Sequence, residues 1–244
     1  MRRLLVLAPL LLAAAIGFPA LAQSFSSEQK QAIEEMIRAY ILKNPEIIRD
    51  AVEALQAKEQ QSADARRAHA LAQLKDELVA DPTSPVLGNP AGDVTIVEFF
   101  DYRCPYCKRT DPIVEQLVKE DGRIRRVMKE FPILGPESVY ASRVALAARN
   151  QGKYEPVQKA LISARGALDK ETVLRIAKEV GVDVDRLKRD IHDPAIEQIL
   201  KKNRDLAGAL EITGTPAFVI GREFVPGAAE LETFRAIVAR ARKG

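Results

Sequence analysis

Residues 94–110, VTIVEFFDYRCPYCKRT, constrain this chain more than any other stretch. Val94 to Phe100 is rich in β-branched and aromatic side chains and reads as a buried strand. Cys104-Pro105-Tyr106-Cys107 follows at once and contains both cysteines of the chain. The residues from Pro105 onward read as a helix, with proline at its first turn, where a missing N–H costs nothing. That arrangement puts Cys104 at a helix N-cap, where unpaired amides and the positive end of the helix dipole favour a thiolate. Cys107 falls one turn further on the same face, close enough to close a disulfide. Thiol–disulfide chemistry is the reading this geometry favours.

Three alternatives compete with it. A zinc site needs about four ligands, and beyond the cysteines the chain offers only His69 and His192, both distant in sequence. A purely structural disulfide across so short a loop would remove little entropy from the unfolded chain. A pair of buried free thiols would make the spacing after a strand a coincidence. His192 lies beside a helix break and reads as a surface histidine.

Met1 to Ala22 has the layout of a signal peptide: Arg2 and Arg3, an apolar run from Leu4 to Ile16, and a small-x-small site at Ala20-Leu21-Ala22. An uncleaved N-terminal anchor is the other reading of this segment. Export implies an oxidising compartment, in which two cysteines can cycle through a bridge. Removing the two arginines takes the formal net charge from +3 to +1. That balance gives no argument for nucleic acid or an anionic membrane as a partner.

Ser24 to Ala80 reads as helix. Ser26 with Gln29 fits a capping box, and Ile33, Met36, Ile37, Tyr40 and Ile41 share one face. Asn44-Pro45 ends one helix and starts the next, whose middle, KEQQSADARRAH (58–69), is polar. A long helix with a polar middle suits a stalk, and its apolar ends call for a partner such as a second copy of the chain. Packing back onto the chain's own catalytic domain is the alternative. Residues 81–93, with three prolines and two glycines, read as the linker, which sets the expected organisation as 1–22 signal peptide, 23–82 helical stalk and 83–244 catalytic domain.

Beyond the cysteine helix, Ile124 to Phe131 is a second strand candidate. Residues 137–207 read as a helical block broken at Gly152, Gly166, Gly181 and Asp193-Pro194. Gly214-Thr215-Pro216 then introduces a short strand, Ala217 to Ile220, with a turn at Gly221-Arg222, a partner strand at Phe224-Val225 and a last amphipathic helix. A proline entering a strand after glycine marks an edge or turn, a setting that accommodates a cis bond.

Taken in order, these segments resemble an α/β thioredoxin fold with an inserted helical domain and an N-terminal helical extension. Gly92 to Cys107 (GDVTIVEFFDYRCPYC) and Thr213 to Gly221 (TGTPAFVIG) carry the resemblance, which is to the DsbA-like members of the bacterial disulfide-bond (Dsb) family. The N-terminal helices further resemble those of the suppressor-of-copper-sensitivity C type. The resemblance implies Cys104 as nucleophile, Cys107 as resolving thiol and Pro216 as the cis-proline packed against them. It also implies that Thr215 offers backbone hydrogen bonds to an extended client, while Pro105 and Tyr106 tune Cys104. Glu98 stands where the family places a buried proton-relaying acid; a carboxyl inside an apolar strand is costly unless it has a task, or else it sits at an exposed edge.

No cofactor or metal is implied. The expected partners are cysteine-containing client proteins in the periplasm, a membrane-bound redox partner that recycles the pair, and further copies of the chain through the N-terminal helices. The dipeptide is Pro-Tyr rather than Pro-His, and threonine precedes Pro216; both resemble isomerase and reductase members more than the dedicated oxidase. Disulfide isomerase is the favoured direction. A monomeric thiol oxidase, and a copper-binding or holdase protein using the same cysteines, are the alternatives.

Overall fold

The structure is a computed structural model that describes residues 25–243. The signal-peptide segment lies outside the described residues. Two compact units divide the chain between Ala57 and Lys58.

In the first unit, α1 (Ser27–Lys43) begins with the expected capping box: Ser26 Oγ accepts from the Gln29 amide at 3.2 Å, and Gln29 Oε1 accepts from the Ser26 amide at 2.9 Å. Asn44 closes the helix, its amide donating to the Tyr40 carbonyl. No residue of α1 is buried. Met36, Ile37 and Tyr40 are more than half exposed, as are Ile48 and Leu55 on the first part of α2 (Glu46–Gln73).

The second unit is built on a five-stranded mixed sheet in the order β1-β3-β2-β4-β5. The central strand, β2 (Val94–Phe100), runs parallel to β3 (Ile124–Glu130) and antiparallel to β4 (Ala217–Ile220). Six of the seven β2 residues are buried, because helices cover both faces of the sheet. The helix α4 (Pro105–Asp121) connects β2 to β3 and stops at Gly122, which adopts the left-handed conformation (φ 68°) that glycine tolerates without penalty. Gly221 (φ 61°) makes the turn into β5 (Glu223–Pro226), giving the expected hairpin.

Between β3 and β4 lies the inserted helical block: α5 (Pro136–Ala148), a 3-10 turn at Arg149–Gln151, α6 (Tyr154–Ser163), α7 (Lys170–Glu179), α8 (Val184–Asp190) and α9 (Pro194–Ala209). Its apolar faces form one core with Phe100, Tyr102 and both cysteines. A second core joins Val97 and Phe99 of β2 to Leu206 and Leu210, and a third packs α10 (Leu231–Ala241) on β2, β4 and α4 through Phe234, Ile237 and Val238. The T-shaped pair Phe218–Phe234, with centroids 4.9 Å apart, fixes that last helix.

Residues 58–93 hold more structure than the sequence showed. Residues 81–93 are not only a linker: Val86–Gly88 form β1, paired antiparallel with β3. Three residues are too short a run for periodicity to reveal. The polar stretch 58–69, expected as the middle of a stalk, belongs to the second compact unit, which begins at Lys58. Its charges are docking groups: Arg66 meets Glu211 at 2.7 Å, and Arg67 donates to the Leu210 carbonyl at 3.1 Å while its guanidinium lies over the Phe224 ring. Leu71 and Leu78 of α2 and α3 (Lys75–Val79) enter the second core. Lys129, fully buried on β3, ties this segment to the sheet by donating to Ser84 Oγ at 2.8 Å and the Glu77 carbonyl at 2.9 Å, with Asp81 at 3.3 Å.

Candidate active site

Strand β2 ends at Phe100, and the loop Asp101–Arg103 turns the chain into α4. Cys104 is the N-cap, with extended backbone (φ −72°, ψ 117°), and its sulfur accepts from the Cys107 amide at 3.4 Å. Serine or aspartate would ordinarily fill this position; here a sulfur takes over the capping bond. Both thiols are free and both side chains are buried, Cys107 completely. The Cys107 thiol, donating to the Cys104 sulfur, leads in lowering the Cys104 pKa to about 5; burial opposes it, and the Cys107 and Tyr106 amides reinforce it. Cys107 is pushed up, first by that same bond to Cys104 and then by its burial. The two sulfurs are therefore unequal: Cys104 at the N-cap is the more acidic, and Cys107 one turn on holds its proton more tightly.

Thr215 and Pro216 come to this site from the far end of the chain. Their peptide bond is cis, and the Thr215 carbonyl accepts from the Cys104 thiol at 3.1 Å. Antiparallel pairing of β4 with β2, which sets Ala217 opposite Phe99, makes the approach. Pro105 is exposed, and Tyr106 is 55% exposed with the Arg109 guanidinium 4.4 Å from its ring centre. Glu98 is buried in β2, opposite Met128 and Phe218, and so is not at an exposed edge. All seven residues singled out from the sequence thus lie on β2, its following helix, or the segment leading into the adjacent strand. His192 takes no part in it.

Sequence reasoning missed the side chains that brace the site. Asp101 Oδ2 accepts from the Ile133 and Leu134 amides at 2.9 and 3.0 Å, and Oδ1 from the Arg103 amide and Ser138 Oγ at 2.8 Å each. Arg103 donates to the Leu134 carbonyl at 2.6 Å and to Glu137 at 2.9 Å. These bonds hold residues 131–136 beside the cysteine loop and leave Ile133 and Leu134 about two-fifths exposed there. Deeper in, Glu130 accepts from Tyr102 and Tyr154 at 2.7 and 2.9 Å and from Ser142 at 2.7 Å, fastening α5 and α6 to the end of β3. Burial raises its pKa to about 8 against those three donors. The one sequence signal for these groups was a charged residue directly after or within an apolar run, at Asp101 and Glu130.

Residues 95–239 match the DSBA-like thioredoxin domain, well over half of the chain. The chain belongs to the DSBA-like thioredoxin family. Residues 29–62 match the N-terminal domain of the copper resistance protein ScsC. Among solved structures, a thioredoxin-like oxidoreductase from Silicibacter pomeroyi DSS-3 is 48% identical, with a TM-score of 0.68 over 69% of this chain and 98% of that one. ScsC of Proteus mirabilis in a transitional conformation is 28% identical, with a TM-score of 0.66 over 90% of this chain and 98% of that one. A curated relative, a Na(+)/H(+) antiporter NhaA of Salinispora arenicola, is 29% identical over 188 residues, 74% of this chain. The chain spans only 29% of that antiporter's length. As a DSBA-like chain with an ScsC-type N-terminal segment, it has the fold and extension that the sequence led us to expect.

Proposed function

We propose that the protein is an exported thiol–disulfide oxidoreductase that works as a disulfide isomerase on misoxidised proteins of the periplasm. The observation that carries this is the inequality of the two sulfurs at the start of α4. Cys104, with a pKa of about 5, is ionised at neutral pH and ready to attack a client disulfide. The attack joins Cys104 to one client sulfur and releases the other as a thiolate. That thiolate can re-attack elsewhere in the client, which is isomerisation, or Cys107 can displace the client and close the bridge, which is reduction. Pro216 and the Thr215 backbone, beside Cys104, would line the path of an extended client chain, with the exposed Pro105 and Tyr106 as its rim.

Recycling would fall to a membrane-bound redox partner. The bare apolar face of α1 supports self-association, which would gather several Cys104 sites around one client and raise their effective concentration. One observation favours the oxidase alternative: a pKa of about 5 lies between the values of about 7 for thioredoxin and about 3.5 for the oxidant DsbA. A depressed leaving-group pKa also suits donation of the bridge. The copper alternative rests on the ScsC match and on the cysteine pair as a soft Cu(I) site. Copper titration of the wild type against Cys104→Ser/Cys107→Ser decides it, equal binding ruling out the pair.

Refolding of scrambled ribonuclease by residues 23–244 and by residues 58–244 tests the main proposal. Shuffling by the long form and its loss in the short form is the expected result. Failure of both on scrambled ribonuclease, with oxidation of the reduced enzyme, would make this an oxidase.

A further inference from the structure

Among the described residues of the second unit, the large apolar side chains left exposed are Tyr106, Ile133 and Leu134, and all three border the cysteine loop. Tyr106 follows Cys104 on α4. Ile133 and Leu134 sit between Pro132 and Pro136 with their amides bound to Asp101, so the loop shows them to solvent in a fixed pose. The charges here are lopsided. Arg103 is matched by Glu137 at 2.9 Å, and the Asp101 carboxylate is buried under its own donors. Lys108 donates to a carbonyl, that of Ala164, rather than to an acid. Arg109 is exposed and forms no ion pair among the described residues. The positions three and four residues from it on α4 are Pro105, Tyr106, Pro112 and Ile113, none of them acidic.

We propose that Arg109 is a specificity-determining residue: it selects client segments that carry a carboxylate beside the reacting disulfide. This rests on the thiol–disulfide reading above and names the clients that reading leaves open. The Arg109 guanidinium lies 4.4 Å from the centre of the Tyr106 ring, leaning back toward the start of α4 as long helical side chains do. Resting on the ring, it gives up little freedom on binding and keeps N–H donors for both oxygens of a carboxylate. Arg109 comes five residues after Cys104, about 7.5 Å along the helix. At about 3.3 Å per residue, that is the span of roughly two to three residues of an extended client.

Ile133 and Leu134 take apolar client side chains without regard to charge, so a preference for acids falls to Arg109. A single ion pair at an exposed rim is weak, but attraction and repulsion add when a client acid is exchanged for a base. The negative charge of a Cys104 thiolate works the other way and favours basic clients. Without Arg109, that charge is left to set the preference.

The test uses reduced, full-length protein and symmetric disulfide dimers of a short peptide with one cysteine and, two residues from it, Asp, Asn or Lys. Rates of peptide reduction are divided by those with free dithiothreitol, which removes differences in intrinsic reactivity. Wild type is expected to reduce the Asp peptide about three- to ten-fold faster than the Lys peptide at low salt, with Asn between. The preference should fade as salt rises. Arg109→Ala should bring the ratio near one, Arg109→Glu should invert it, and Arg109→Lys, which keeps the charge, should preserve its direction. Each protein is judged by the ratio of its own rates, so a general loss of activity in a variant cancels. A wild-type ratio at or below one, or one that salt does not lower, overturns the proposal without any variant. So does an acid preference that survives Arg109→Glu. Wild type inactive on every peptide refutes the redox function and this inference with it, whereas active protein without the preference refutes only the role of Arg109.

Discussion

Two helices of seventeen residues, α1 and α4, show what decides whether a helix can carry chemistry. Both have a side chain capping the N-terminus. In α1 the cap is Ser26, and no residue of the helix is buried. In α4 the cap is Cys104, and five residues are buried, among them Cys107, Val114 and Leu117. Burying side chains such as Val114 and Leu117 stabilises by about 1.5–3 kcal/mol each. That packing holds α4 in one place, so its first turn can present a sulfur at fixed geometry to backbone donors. Helix α1 has only local bonds and an apolar stripe open to a partner.

The largest effect should come from the α4 cap. Cys104→Ser is expected to reduce thiol–disulfide turnover to background in a scrambled-ribonuclease or dithiol assay, with folding intact by circular dichroism. Next, packing should matter in α4 and not in α1. Leu117→Ala is expected to cost about 2–5 kcal/mol in denaturant unfolding. Ile37→Asp in α1 should change the stability of the catalytic unit by no more than about 0.5 kcal/mol. The same substitution should lower the sedimenting mass of the mature protein, and an unchanged mass would remove the argument for assembly through α1.

Acidity separates the helices further. The Cys104 pKa is lowered on folding, so its thiolate stabilises the reduced protein fully above about pH 8.5, the unfolded value. That contribution declines as the pH falls and is gone below the folded value of about 5. Melting temperatures of reduced protein should therefore drop across that window relative to Cys104→Ser, which lacks the group. The smallest effect is at the α1 cap: Ser26→Ala should cost about 1 kcal/mol of local helix stability, visible as faster amide exchange in the first turn of α1.

Much of this contrast was legible in the residues themselves. Apolar run, C-P-Y-C and helix, and the later T-P before a hairpin, are local patterns whose chemistry and spacing name their own geometry. Glu98 could be singled out because a carboxyl inside an apolar run is conspicuous. Asp111 could not: it looks like an ordinary helical acid until α4 packs on the sheet and Arg126 of β3 meets it at 2.7 Å. Likewise Lys129 and Glu130 lie in a strand whose alternation is poor, because both faces are covered and their partners, Ser84 in one case and Tyr154 in the other, come from distant segments. The contacts of the polar stretch 58–69 were hidden in the same way, since Arg66 and Arg67 find acceptors on residues 210–211, more than 140 positions away.

The central claim is that α4 makes Cys104 a thiolate at neutral pH while Cys107 stays protonated. Ultraviolet thiolate absorbance of the reduced protein against pH, with Cys104→Ser as the blank, measures it directly. One thiolate step with a midpoint near 5 is expected. A single step at about 8.5, the value of an unperturbed cysteine, would contradict it.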